Sequence, residues 1–383
     1  MKRYIYLDDE PIEAVRPYIR AVENAGEGLA IEHRHPQQYP KQMETLREEH
    51  LGGALDGLIL DLRLDQFPNL AAGDKRADYR ASTLAQEIRT RATEGVLPEF
   101  PIVLLSTDER LRRSYVNDDT SHDLFDVKSL KERIEDPVGA ARLSAELIAL
   151  VEGYKRIGQA HSRKRGVNRG LMILGIDEQP PYLDPRILNH FLGRDGTPPI
   201  HEVARFVLRE LLDTPGPLID SGVLAARMGI DQGRSPGFKT LVDRLNEASY
   251  QGAFAAGWPR WWAAGVESAW RAMGNASGSL RTTPSAERVA YLRKELKIRD
   301  LVPATAFKPS SSTMFWTICR ASGDPLDPKE GFLVDRQPKF PWQDRVYVSL
   351  TALLDGTARS KGLRIDPLEN DRFIRARTRL NVR

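Results

Sequence analysis

The chain has 383 residues, 41% of them hydrophobic and 28% charged, with a formal net charge of +3. That is more chain than one hydrophobic core usually holds, so two or three domains are expected. The composition excludes a disordered or collagen-like chain, and no apolar run approaches the ~20 residues that cross a bilayer, so no membrane partner is expected.

The opening MKRYIYLDDE reaches acid at Asp8 before any long apolar stretch, which does not read as a signal peptide. A single cysteine, Cys319, excludes an internal disulfide and a cysteine-rich zinc site. A reducing, cytoplasmic setting is the expectation. The small net charge hides a split: residues 1–155 carry 21 Lys/Arg against 29 Asp/Glu, and the remainder carries 35 against 24. An acidic front on a basic back predicts two modules with different partners.

In chain order, short apolar strands are predicted at Arg3–Leu7, Leu29–His33, Gly57–Asp61, Pro101–Leu105 and His122–Val127. Helical spacing falls between them, over Ile12–Asn24, Gln37–Glu49, Ala81–Thr93, Asp108–Asn117 and Pro137–Ile157. In the last of these, Pro137 suits the first helical turn. Five strand–helix units in this order predict a doubly wound, flavodoxin-like α/β domain with its chemistry at the carboxyl ends of the strands. A basic stretch, Gly158–Arg169, reads as a linker. Beyond it a mostly helical region runs to about residue 300, with its clearest helices at His201–Leu212 and Ala286–Lys297. The last part mixes strand-like runs (Thr313–Cys319, Gly331–Asp335, Arg345–Leu350) with a basic tail, which predicts a small α+β region. No internal repeat or low-complexity tract is visible.

The chemistry-bearing positions sit at the predicted strand ends. Asp8 and Asp9 end the first strand, Asp61 the third, Ser106 the fourth, and Lys128 the fifth. Such ends converge on one rim of a doubly wound sheet. Three carboxylates repel unless a hard cation sits among them, and Mg²⁺ with oxygen ligands suits that set. A phosphoryl group between the cation, Ser106 and Lys128 would be open to attack by a carboxylate, which gives an acyl phosphate.

With these residues in this order, residues 1–157 resemble the receiver domain of response regulators in two-component signalling. The resemblance implies Asp61 as the phosphoacceptor, Mg²⁺ held by Asp8, Asp9, Asp61 and the main-chain carbonyl of Arg63, and Ser106 and Lys128 as the groups that meet the phosphoryl oxygens. It also implies Phe125 as the aromatic that changes rotamer with Ser106 on phosphorylation, and a histidine kinase or other phosphodonor as partner. Two features depart from the family: Ser129 follows Lys128 where receivers usually carry proline, and Asp65–Arg80 is an insertion after the phosphoacceptor strand.

The expected organisation is therefore a receiver-like domain over 1–157 and a linker over 158–184. A helical output region follows over 185–283, then a mixed region over 284–383. Ser221–Leu245 resembles a helix-turn-helix with a long turn, which makes Arg234 and Lys239 candidate nucleic-acid contacts. Trp258, Trp261, Trp262 and Trp270 cannot share one helical stripe and predict a core with a partly exposed face. The tail from Thr357 holds eight basic and three acidic residues. The favoured expectation is a signalling protein whose phosphorylated receiver controls a noncatalytic output region that binds protein or nucleic acid. The alternatives are a pseudo-receiver scaffold and an enzyme of unrecognised type in the second half.

Overall fold

A computed structural model describes residues 1–65, 77–107, 123–193, 196–274 and 278–380. The chain divides into two compact units, one of Met1–Leu208 with Gln251–Trp258, the other of Arg209–Tyr250 with Pro259–Arg383.

The first unit is built on a five-stranded sheet of β1 (Lys2–Leu7), β2 (Leu29–Arg34), β3 (Gly57–Asp61), β4 (Ile102–Ser106) and β5 (Val127–Leu130). All neighbours are parallel and the order is β2-β1-β3-β4-β5, the order of a doubly wound flavodoxin-like sheet. Central strands covered on both faces must be apolar throughout, and every residue of β3 (GLILD) and β4 (IVLLS) is buried. In β1 the two-residue period sorts the faces. Ile5 and Leu7 join the core with Met43 and Leu46 of α2 (Tyr39–Leu51) and with Leu84 and Ile88 of α3 (Ala81–Thr93). Tyr4 points the other way and donates to the Leu147 carbonyl at 2.7 Å. Leu147 lies on the long helix that packs beside α1 (Ile12–Asn24).

That long helix, α5 (Pro137–Arg163), follows a single turn, α4 (Lys131–Ile134). It runs through the start of the basic stretch read as a linker, and α6 (Val167–Leu174) resumes after Gly166, followed by α7 (Pro185–Asn189) and α8 (Ile200–Arg205). The returning segment 251–258 completes this unit. Phe254 takes a left-handed φ of 70°, unusual for a side chain of its size. It is held there by its neighbours. The Ala253 amide donates to the Ile173 carbonyl, Tyr154 and Trp258 meet the Phe254 ring edge-on, and a Cβ at Gly153 would fall 2.1 Å from that ring.

The predicted strands and helices of this unit match closely, with one consequential exception. The fifth strand is Val127–Leu130 and not His122–Val127. Its register is set by Asp126, whose amide donates to the Ile102 carbonyl while its carboxylate accepts the Ile102 amide at 2.8 Å. The same carboxylate takes Arg89 at 2.8 Å and the Tyr154 hydroxyl at 2.8 Å, and both members of the ion pair are buried. The helix expected over Asp108–Asn117 and most of the Asp65–Arg80 insertion lie outside the described residues.

The second unit is helical around one core and mixed around another. Asp220 caps α9 (Ser221–Met228), which packs with α10 (Phe238–Arg244), α11 (Ala263–Ala272) and α12 (Ser285–Leu296) on Leu224, Leu241, Val266, Trp270 and Leu292. Fully buried Arg288 donates to the carbonyls of Thr283, Ala226, Arg227 and Phe315, which ties α12 to α9 and to the chain entering the mixed region. The strand-like runs shrink to two-residue pairs, Thr317–Ile318 with Pro325–Leu326 and Phe332–Leu333 with Tyr347–Val348, around a core that includes Cys319. Beyond α13 (Leu350–Leu354) and α14 (Thr357–Ser360), α15 (Asn370–Arg379) lies in the basic tail. All four tryptophans of the cluster are buried, Trp258 in the first unit and the other three in the second, so the partly exposed face expected of them is not found.

Removing one partner of a buried ion pair strands the other charge. Asp126→Ala should therefore lower the unfolding free energy of the first unit by about 3–5 kcal/mol in denaturant titrations. A loss under about 1 kcal/mol would mean that Asp126 does not hold this corner of the sheet.

Candidate functional site

Asp8 and Asp9 follow β1, and Asp61 closes β3. Because β1 and β3 are parallel neighbours in register, with Leu7 opposite Leu60, their carboxyl ends bring these acids to one rim. All three are buried, and one carboxylate oxygen from each lies within 4.8 Å of the others. Among the described residues this is the one group of three acidic, histidine or cysteine side chains so placed. The buried triad can hold a metal ion, and three oxygen donors at strand ends are a hard set suited to a hard cation.

The ammonium in this cluster belongs to Lys131. Its Nζ lies 2.9 Å from Asp8 Oδ2, 3.1 Å from Asp61 Oδ1 and 3.6 Å from Glu10 Oε2. Lys128, the residue predicted for this role, sits inside β5 opposite Leu104. The correction follows from the strand itself. Leu124 and Phe125 give the apolar signal that suggests a strand ending before Lys128, but both belong to the core. The hydrogen-bonded strand begins only at Val127, the residue that the apolar pattern takes as its end. Ser106 pairs with Leu130, and the next residue is Lys131. Phe125, the expected switch aromatic, is buried in the core with Leu124 and Leu104.

Asp8 is held from three directions. Its Oδ2 accepts the Tyr6 hydroxyl at 2.5 Å as well as Lys131, and its Oδ1 accepts the Glu10 amide at 2.9 Å. Asp61 Oδ2 accepts the Arg63 amide at 2.9 Å, and the Arg63 side chain pairs with Asp65. Burial raises the Asp61 pKa above the ordinary carboxylate range. Lys131 and the Arg63 amide oppose that rise, and the Asp8 charge adds to it. Lys131 is held above the ordinary lysine range, because the charges of Asp61 and Asp8 outweigh its burial. Burial, then the charges of Asp8 and Asp61, raise the Tyr6 phenol well above its usual value, so it remains a proton donor. Ser106 is buried at the end of β4, and its Oγ has no hydrogen-bond partner among the described residues.

Beside the site, His33 and His35 stand at the end of β2 with their rings edge-to-face at 5.0 Å. In the second unit, the segment resembling a helix-turn-helix does contain two helices, α9 and α10, joined through a 3-10 turn at Gln232–Arg234. Arg234 is drawn to Asp231 at 2.7 Å, whereas Lys239 is exposed on α10. Sequence reasoning misses Lys131 only because it sets β5 too early; the acidic positions and Ser106 are legible. No protein-family model and no curated protein matches the chain.

A carboxyl group whose folded pKa is raised stabilises the fold when protonated. That contribution is complete below the ordinary carboxylate range and is lost as pH rises through the raised value. Asp61→Asn should therefore melt higher than the parent at neutral pH in EDTA, by about 2–4 °C if the gain is near 1 kcal/mol. The difference should narrow as the buffer is taken into the acid range. A lower melting temperature at neutral pH would show that the Lys131 contact outweighs burial.

Proposed function

We propose that the first unit is a phosphoacceptor module of the receiver type, with Asp61 as the residue modified and Lys131, in place of Lys128, as its ammonium. The observation that carries this reading is the buried meeting of Asp8, Asp9 and Asp61 at adjacent strand ends with Lys131 bridging two of them. Mg²⁺ would be held by the three carboxylates, with the Arg63 carbonyl added by the family resemblance, and when bound it supplies positive charge to the phosphoryl oxygens. In the transfer itself, an Asp61 carboxylate oxygen forms the new bond to phosphorus. The bond from phosphorus to the donor's leaving group breaks, and that group departs with the electron pair. Lys131 exchanges a carboxylate for a phosphoryl oxygen, and the Ser106 hydroxyl, otherwise without a partner among the described residues, donates to another.

A second reading has one specific observation in its favour. Asp8 already accepts three donors, so Lys131 and Tyr6 would serve as permanent replacements for a cation in a scaffold that is never phosphorylated. The second unit is proposed as a noncatalytic output region. Its basic charge and the exposed Lys239 of α10 support a polyanion partner, whose affinity would fall with added salt.

The deciding experiment is incubation of the full chain with Mg²⁺ and a small phosphodonor, followed by intact mass and peptide mapping. The expected outcome is one added phosphoryl group on Asp61, lost in Asp61→Asn and in EDTA, reduced in Lys131→Ala and retained in Lys128→Ala. An adduct on another residue, or none with a competent donor, would favour the scaffold.

A further inference from the structure

We infer that Tyr6 is a positioning residue of the acidic site, a role that rests on the phosphoacceptor reading. Tyr6 is buried in β1, and its hydroxyl donates to the same Asp8 oxygen that receives Lys131. Its ring also stands 5.9 Å from the Lys131 ammonium, within the range at which a cation is drawn to an aromatic face. One side chain thus touches both members of the ion pair.

The placement follows from strand geometry. Tyr6 stands one residue before the end of β1, its hydroxyl reaches the Asp8 carboxylate just beyond the strand, and its register partner on β2, His33, meets its ring edge-on at 6.2 Å. Packed in this way the phenol has little freedom, and its hydroxyl fixes how the Asp8 carboxylate is turned. That matters most when Lys131 leaves. For Lys131 to meet a phosphoryl oxygen it must give up at least one carboxylate, and where that one is Asp8, its carboxylate would be held by the Glu10 amide and Tyr6. The buried Ser106 hydroxyl, with no partner among the described residues, is an independent sign that the rim is built to receive another group. Tyr6 keeps Asp8 in the orientation in which the three carboxylate oxygens approach one another while Lys131 changes partners. Groups that hydrogen-bond a ligating side chain in this way are commonly worth 10–100-fold in metal affinity.

The test is Mg²⁺ titration calorimetry on the full chain, comparing the parent with Tyr6→Phe and Asp9→Asn. Tyr6→Phe keeps the ring and removes only the hydroxyl. Its Mg²⁺ affinity should fall by about tenfold or more when measured at a temperature where its unfolding curve in EDTA shows it fully folded. Mn²⁺ should also broaden the NMR signals of the Tyr6 ring in parent protein labelled on tyrosine, a readout that needs no variant. If Asp9→Asn abolishes binding but Tyr6→Phe leaves it unchanged, the positioning role is overturned and the phosphoacceptor reading stands. If the parent itself shows neither Mg²⁺ heat nor Mn²⁺ broadening, both fall.

Discussion

The first unit depends on one ammonium placed among buried acids. A parallel sheet gathers the carboxyl ends of its strands on one rim, and this chain puts Asp8, Asp9 and Asp61 there, away from water. Carboxylates so close, with so little solvent, could not all remain ionised without a compensating charge. Lys131 supplies part of it, bridging β1 and β3 from the start of α4. The balance is incomplete, since burial still leaves Asp61 harder to ionise than an ordinary aspartate. The Asp8, Asp9 and Asp61 oxygens therefore form a buried acidic set that one ammonium only partly neutralises, a set that could hold a metal ion.

The position of Lys131 is itself imposed from a distance. Asp126 bonds both ways to Ile102 and draws in Arg89 and Tyr154, so the edge strand begins immediately after it. That strand ends at Leu130, and Lys131 turns into the cluster. A structural ion pair at one end of the strand therefore decides which lysine serves the site at the other. Arg89 also reaches the carbonyls of Phe100 and Leu124, so α3 and the approaches to β4 and β5 are tied to the same point.

Much of the α/β unit was legible because its periodicities are strong: β3, α1 and α3 fall on the predicted residues, and the acids at the ends of β1 and β3 stand where the pattern put them. The edge strand VKSL was not, because it is half-buried and polar while the neighbouring Leu124 and Phe125 belong to the core. Hydrophobic patterning follows burial, and an edge strand is defined by hydrogen bonds instead. The same limit explains the second unit, where strand-like runs such as Thr313–Cys319 pair over only two residues. There the order rests on contacts between distant residues, such as the carbonyls gathered round Arg288, which leave no local signal. The tryptophan cluster misled because its members belong to two units, so each is buried among different neighbours and none is left to form an exposed face.

The first unit is discontinuous, closing only when Gln251–Trp258 returns to lay Phe254 against Gly153. On the ribosome its sheet and helices emerge in full before that piece of the core exists, and the chain must extend through Arg209–Tyr250 to supply it. That intervening segment belongs to the other unit, so completion of the first waits on synthesis of part of the second. Neither unit is a continuous stretch of chain, and a cut placed at the end of the long α5 helix would separate the sheet from the segment that finishes it.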